Sequence, residues 1–203
     1  MQLIGMLDSP FVRRVAIEMR LNKIPFEHHE LSVFRHMPEF GKINPLFKAP
    51  SFICDDGTVL MESSLILDYL WTAVAPDKAL MPKGPERARA LRLIGIGLAA
   101  CEKAVQIEYE RKRPEAIRYA PWLTRVTAQL HDALALLEPE IAKAKPWVLG
   151  QAISQADITI AVAWRFQQMV LKDVVNPGRY PHLEDFCARA EALPEFIATQ
   201  WQD

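Results

Sequence analysis

The sequence predicts a two-part molecule, a small mixed α/β half followed by an all-helical half. Three observations carry that expectation. Residues 2–71 mix short apolar runs of strand length with stretches of helical periodicity. Pro76, Pro82, Gly84 and Pro85 then fall close together, a composition break that reads as a linker. Beyond it the apolar spacing is helical throughout, and no strand pattern stands out. The expected division is 1–75, a linker at 76–85, and a helical domain at 86–203.

Each element has a local cause. Residues 2–6 form a brief apolar run that ends at a loop, as a buried first strand does. Ser9 and Pro10 open a helix: serine is a good N-cap, and proline suits a first helical position whose amide has no partner in the helix. Phe11, Val12, Val15, Ala16, Met19 and Leu21 follow, and the pattern ends near Asn22. Residues 25–31 have strand character about Phe26 and Leu31, and the polar segment 32–44 holds a short helix. Residues 51–54 and 58–61 flank Asp55, Asp56 and Gly57, the signal for a β-hairpin. Residues 63–71 are helical again. The order β-α-β-α-β-β-α, a βαβ unit and a ββα unit on one mixed sheet, is a thioredoxin-like arrangement.

In the second half, residues 86–112, 122–143 and 154–171 are long helical patterns, and 183–193 and 195–201 are shorter ones, which together predict a helical bundle. Ser154 stands three residues before Asp157, just ahead of Ile158, Ile160, Ala161 and Val162. That is the spacing of a capping box, with Ile153 and Ile158 at the flanking staple positions. It is a structural device.

Composition excludes several classes. Half the residues are hydrophobic (50%) and 24% are charged, which is ordinary for an ordered globular chain. The net charge is -1, and no basic run offers a footprint for nucleic acid. Polar residues interrupt every apolar stretch before it reaches membrane-spanning length. Asp8, Arg13, Arg14 and Glu18 fall where a secretory signal needs an apolar core, so the N-terminus reads as strand and helix. Cys54, Cys101 and Cys187 make no C-x-x-C pair and no metal-ligand spacing, so a cytoplasmic protein with no metal site is expected.

Three positions in the first half bear on chemistry: Ser9 after the first strand, Ala49-Pro50 before a strand, and Glu62-Ser63 before a helix. Singly, each has a structural explanation as a helix cap or a strand-initiating proline. Their order within one β-α-β-α-β-β-α unit narrows the choice. The phrases S-P-F-V-R-R (9–14), N-P-L-F-K-A-P (44–50) and E-S-S-L-I-L-D-Y-L (62–70) resemble the N-terminal domain of the glutathione transferase superfamily. S-P-F-V-x-R is similar to its serine-type, tau-like branch. The box at Ser154 and P-H-L-E-D-F (181–186) resemble the family's helical half, so the likeness spans nearly the whole chain.

The resemblance implies a glutathione transferase in which Ser9 stabilises the thiolate. Glu62 would accept from the ligand's γ-glutamyl ammonium, and Ser63 would hold the adjoining carboxylate. Ala49, before a cis Pro50, would pair with the cysteinyl backbone, and Lys48 would lie near the glycyl carboxylate. Arg14 matches a recurring arginine without a derived role, and Arg35 or His36 could assist Lys48. Phe47 and Ser51 depart from the family's usual residues. A hydrophobic electrophile would meet Leu7, Phe11, Phe34, Ile107, Tyr109, Trp164 or Trp201, all of which also read as core residues. Glutathione is then a co-substrate, no other cofactor is implied, and a homodimer is expected. Two alternatives stay open: a non-enzymatic regulator of the stringent-starvation type, and a glutathione-dependent isomerase or peroxidase.

Overall fold

A computed structural model describes residues 1–201, so the last two positions of the expected helical half lie outside the described residues. The chain divides into two compact units. The first comprises Met1–Met81 together with residues 192–201, and the second is Pro82–Glu191.

The first unit holds strands β1 (Gln2–Ile4), β2 (Glu27–His29), β3 (Ser51–Ile53) and β4 (Val59–Met61). Its helices are α1 (Pro10–Leu21), α2 (Met37–Ile43) and α3 (Ser63–Tyr69). The sheet order is β2-β1-β3-β4, with β1 parallel to β2 and antiparallel to β3, and β4 antiparallel to β3. This is the mixed sheet of a thioredoxin-like domain. The strands are shorter than their apolar runs. Pro25 has no amide to give a ladder, and β2 begins only after it.

Leu3 and Phe52 lie opposite each other across β1 and β3, both fully buried. Val12, Val15 and Met19 from α1 and Ile66, Leu67 and Leu70 from the α3 region complete the same core. Gly5 has φ 138, and a Cβ there would sit 2.6 Å from Val12 Cγ2, so this turn can take only glycine. After α3 the chain makes a π turn (Leu70–Val74) and a 3-10 turn (Pro76–Lys78).

Residues 192–201 belong with this unit, whereas periodicity alone assigns them to the helical half. A last short helix, α8, covers Pro194–Ile197. Buried Arg13 supplies the reason. Its Nε donates to the Thr199 carbonyl and its Nη2 to the Phe196 carbonyl, each at 3.0 Å. Its guanidinium also lies 5.7 Å from the centre of the Phe196 ring.

The second unit packs α4 (Glu86–Arg111), α5 (Ala120–Ile141), α6 (Gln155–Val170) and α7 (Pro181–Glu191). α6 is central: every residue from Gln155 to Trp164 is buried. Gly97 of α4 admits the close approach of α6, since a Cβ there would stand 3.1 Å from Thr159 Cγ2. The capping box at Ser154 is formed. The Asp157 carboxylate accepts from the Ser154 amide at 2.8 Å and from its hydroxyl at 2.6 Å. Its other oxygen accepts from the Val148 amide at 2.8 Å, which ties the preceding loop to the helix start. No helix among the described residues is long and apolar enough to cross a membrane.

Candidate functional site

Sheet register gathers the three sequence positions. Ile4 pairs with Ser51, and Ser51 pairs with Met61. The chain therefore leaves β1 toward Ser9, enters β3 from Ala49-Pro50, and leaves β4 into Glu62-Ser63, all at the same end of the strands. The Ala49–Pro50 peptide bond is cis. Gly5 stands next to Ala49, 3.4 Å from where a Cβ would be.

Glu62 occupies an unusual conformation, with φ 73 and ψ 123. A glutamate at positive φ is strained, and such strain collects at functional sites. Both its carboxylate oxygens accept from the Ser64 amide at 3.1 Å, so Glu62 caps the short helix α3. Ser63, 1% exposed, donates its hydroxyl to Glu62 Oε1 at 3.2 Å. As the first residue of α3, it carries one of the amides that a helix's opening turn leaves unbonded.

Arg14 has a role that its sequence position did not disclose. It is 1% exposed, and its Nη1 donates to Ser63 Oγ at 3.1 Å and to Ser64 Oγ at 3.3 Å. The first turns of α1 and α3 are thus joined through a buried guanidinium. One signal was legible beforehand: Arg14 and Glu18 are charges four residues apart in a helix otherwise apolar on most sides.

Ser9 sits ahead of α1 with extended backbone, and its hydroxyl makes no cap bond to the helix. The sequence had suggested a hydroxyl shared with a helix amide. No acidic residue lies in the first turn of α1, where one would offset the positive end of the helix.

The loop before Pro50 is held by Asn44 and Ser51, both buried. Asn44 Nδ2 donates to Ser51 Oγ at 2.9 Å, and Ser51 Oγ donates to the Lys48 carbonyl at 2.8 Å. The departure at Ser51 thereby has a structural reason: an apolar residue could not brace the loop. Phe47, at φ 51, stacks against Phe40 with ring centres 6.3 Å apart. Lys48 is exposed on this loop.

Arg35 and His36 belong to a self-bonded turn. The Arg35 amide donates to Ser32 Oγ, and His36 Nδ1 accepts from the Ser32 amide. Ile107 and Trp164 are buried in the second unit, where the Trp164 indole donates to Glu184 at 2.7 Å. Leu7 and Trp201 pack on the core of the first unit. Phe34 and Tyr109 are well exposed. Among the described residues no group of three or more His, Cys, Asp or Glu is placed to hold a metal ion.

Comparison with known proteins shows the family. The chain matches the glutathione S-transferase N-terminal domain over residues 3–78 and the glutathione S-transferase C-terminal domain over residues 66–194. It belongs to the glutathione S-transferase family. Among relatives, it is 33% identical to glutathione S-transferase U4 of Arabidopsis thaliana over 91 residues, 44% of this chain and 40% of that protein. The matched region is thus under half of that relative's length. Glutathione S-transferase GstA of Escherichia coli O157:H7 is 28% identical over 77% of this chain and 74% of its own. Among solved structures, a glutathione S-transferase of Methylobacterium radiotolerans, in complex with glutathione sulfonate, superposes with a TM-score of 0.91 at 27% identity, covering 100% of this chain and 95% of that one. A glutathione transferase family member of Pseudomonas fluorescens with bound glutathione gives 0.84 at 27% identity, covering 100% and 99%.

Proposed function

We propose that this chain is a glutathione transferase that joins the glutathione thiolate to a hydrophobic electrophile. The observation that carries the reading is Ser9, whose hydroxyl is not spent on a helix cap and which starts a helix with no acid in its first turn. A hydroxyl donor and the positive end of a helix both favour a sulfur anion. The relatives solved with glutathione sulfonate and with glutathione, each at 27% identity, support the choice of ligand.

Each site residue then has a task. Glu62 accepts from the γ-glutamyl ammonium, and Ser63 receives the neighbouring carboxylate with its amide and hydroxyl. The Ala49 amide and carbonyl pair with the cysteinyl backbone, at the turn shaped by Pro50. Lys48 faces the glycyl carboxylate. The thiol gives its proton to solvent, and Ser9 donates to the resulting thiolate. The sulfur forms a bond to the electrophilic carbon, and the leaving group departs with the electron pair of the broken bond. Glutathione is the co-substrate, and the reading calls on no metal or other cofactor. A cytoplasmic homodimer is its expected form, and sedimentation equilibrium checks the dimer.

The test is the ultraviolet absorbance of the bound thiolate, titrated against pH in parent and Ser9→Ala. A free thiol near pKa 8.5 is only a few per cent ionised at neutral pH, and a fall of about two pH units makes most of it thiolate. Ser9→Ala is expected to raise the bound thiol's pKa. It should cut turnover sharply at about pH 6.5 and far less at about pH 9. Equal thiol pKa values in the two proteins would leave Ser9 as a loop residue and sink the catalytic assignment.

A further inference from the structure

Glu18 is fully buried on α1, one helical turn beyond Arg14. Its Oε1 gathers donors from three places. Asn22 Nδ2 lies at 2.8 Å, the Trp71 indole nitrogen at 2.9 Å and the Leu80 amide at 3.4 Å. Arg14 attracts it from the same helix, while donating to the hydroxyls of Ser63 and Ser64. A buried carboxylate and, one helical turn before it, a buried guanidinium bonded to the hydroxyls that open α3 thus share one face of α1. Two other charges border this array. Lys78 donates to the Asn22 carbonyl at 3.4 Å, and Glu62 accepts from Ser63 on the far side.

We propose that Glu18 is a positioning residue for the candidate glutathione site, acting through Arg14 on Ser63, and that its charge sets how tightly that pole holds a carboxylate. The inference rests on the glutathione reading of Ser63. Ionised Glu18 offsets the charge of Arg14. Protonated Glu18 withdraws that share, so the field at the Ser63 and Ser64 hydroxyls becomes more positive and an anionic ligand is held more strongly. Reciprocally, a carboxylate bound at Ser63 makes Glu18 harder to ionise. Burial pushes the Glu18 carboxyl up to about 7, which places the exchange near neutral pH.

S-methylglutathione is the suitable probe, because it has no thiol to titrate. Its affinity for the full chain, measured by calorimetry, is expected to fall about threefold from about pH 6 to about pH 8, within a full span of about fivefold, with Glu18→Gln holding the parent's low-pH affinity throughout. A second readout needs no variant. The Trp71 indole proton donates to Glu18, so its NMR shift should titrate with the carboxyl. Saturating S-methylglutathione should move that midpoint up by about 0.7 pH, the same fivefold factor on a logarithmic scale. A flat affinity in the parent, a step that survives in Glu18→Gln, or a Trp71 midpoint indifferent to ligand overturns the role of Glu18 while leaving the glutathione reading intact. No binding by the parent at any pH overturns that reading and this inference with it. Should Glu18→Gln fail to fold, the Trp71 titration decides alone.

Discussion

Two helix starts in this molecule use the same pair of residue types to different ends. At α6, Asp157 and Ser154 are buried, and the carboxylate is saturated by two amides and a hydroxyl. Ser154 has an ordinary extended backbone, φ -126. At α3, Glu62 is half-buried at φ 73, and its carboxylate holds the Ser64 amide and the Ser63 hydroxyl. The first arrangement is closed, and its hydrogen bonds end inside the protein. The second is strained, lies at the strand ends shared with Ser9 and Ala49, and leaves the opening amide of α3 without a partner in the helix. A closed cap and an open one thus differ less in side-chain chemistry than in what remains unsatisfied around them.

Breaking the closed cap should have the largest effect. Asp157→Ala strands two amides and a hydroxyl, and the expected loss of stability is about 3–5 kcal/mol, after allowing for release of a buried carboxylate. The midpoint in urea measures it, and an unchanged midpoint would show that water replaces the carboxylate freely. Affinity for glutathione per folded molecule should not move.

Glu18 sharpens the contrast from the first unit. Its carboxyl, at about 7 when folded, compares with an ordinary value of 4.5. Between those two values the folded state holds more protons than the unfolded one, so stability falls as pH rises through that window. The group's contribution is fully present below the lower value and is lost by about pH 7, a change of up to roughly 3 kcal/mol. Denaturant melts across pH should show Glu18→Gln flattening this decline and overtaking the parent above about pH 7. A decline of equal size in both proteins assigns it to other groups.

Glu62→Gln addresses the open cap. The amide oxygen can still accept from Ser64, so folding should change by under about 1 kcal/mol. Loss of a charge-assisted bond to the ligand's ammonium, about 1.5–3 kcal/mol, corresponds to roughly 10- to 150-fold weaker glutathione binding. Equal affinity by calorimetry would reduce Glu62 to a cap like Asp157. The smallest effect belongs to Ser154→Ala, about 0.5–2 kcal/mol of stability with glutathione contacts untouched. A larger loss than for Asp157→Ala would reverse the order of the two groups within the box.

Much of the candidate site was legible because its signals are short in range. Ser9-Pro10, Ala49-Pro50 and Glu62-Ser63 each sit at a strand–loop junction that a few neighbouring residues define. What escaped was the partner of each charge. Arg13 and Arg14 are adjacent, yet one reaches the carbonyls of Phe196 and Thr199 and the other the hydroxyls of Ser63 and Ser64. No local pattern separates two neighbouring arginines whose targets lie far apart in the chain. Ser51 likewise looked only like a departure, until its hydroxyl was found bracing the Lys48 carbonyl.

The sequence by itself determined the elements and their class: apolar periodicity, prolines and turn residues set a mixed sheet before a helical run, because these are choices each segment makes over a few residues. The capping box at Ser154 belongs there too, since its partners are three residues apart. Tertiary structure alone decided that Ser9 keeps its hydroxyl out of the helix cap, that Glu62 takes a positive φ, that Glu18 is fully buried, and that residues 192–201 return to the first unit. Each depends on contacts made across the fold, where burial and distant hydrogen bonds outweigh what the flanking residues prefer.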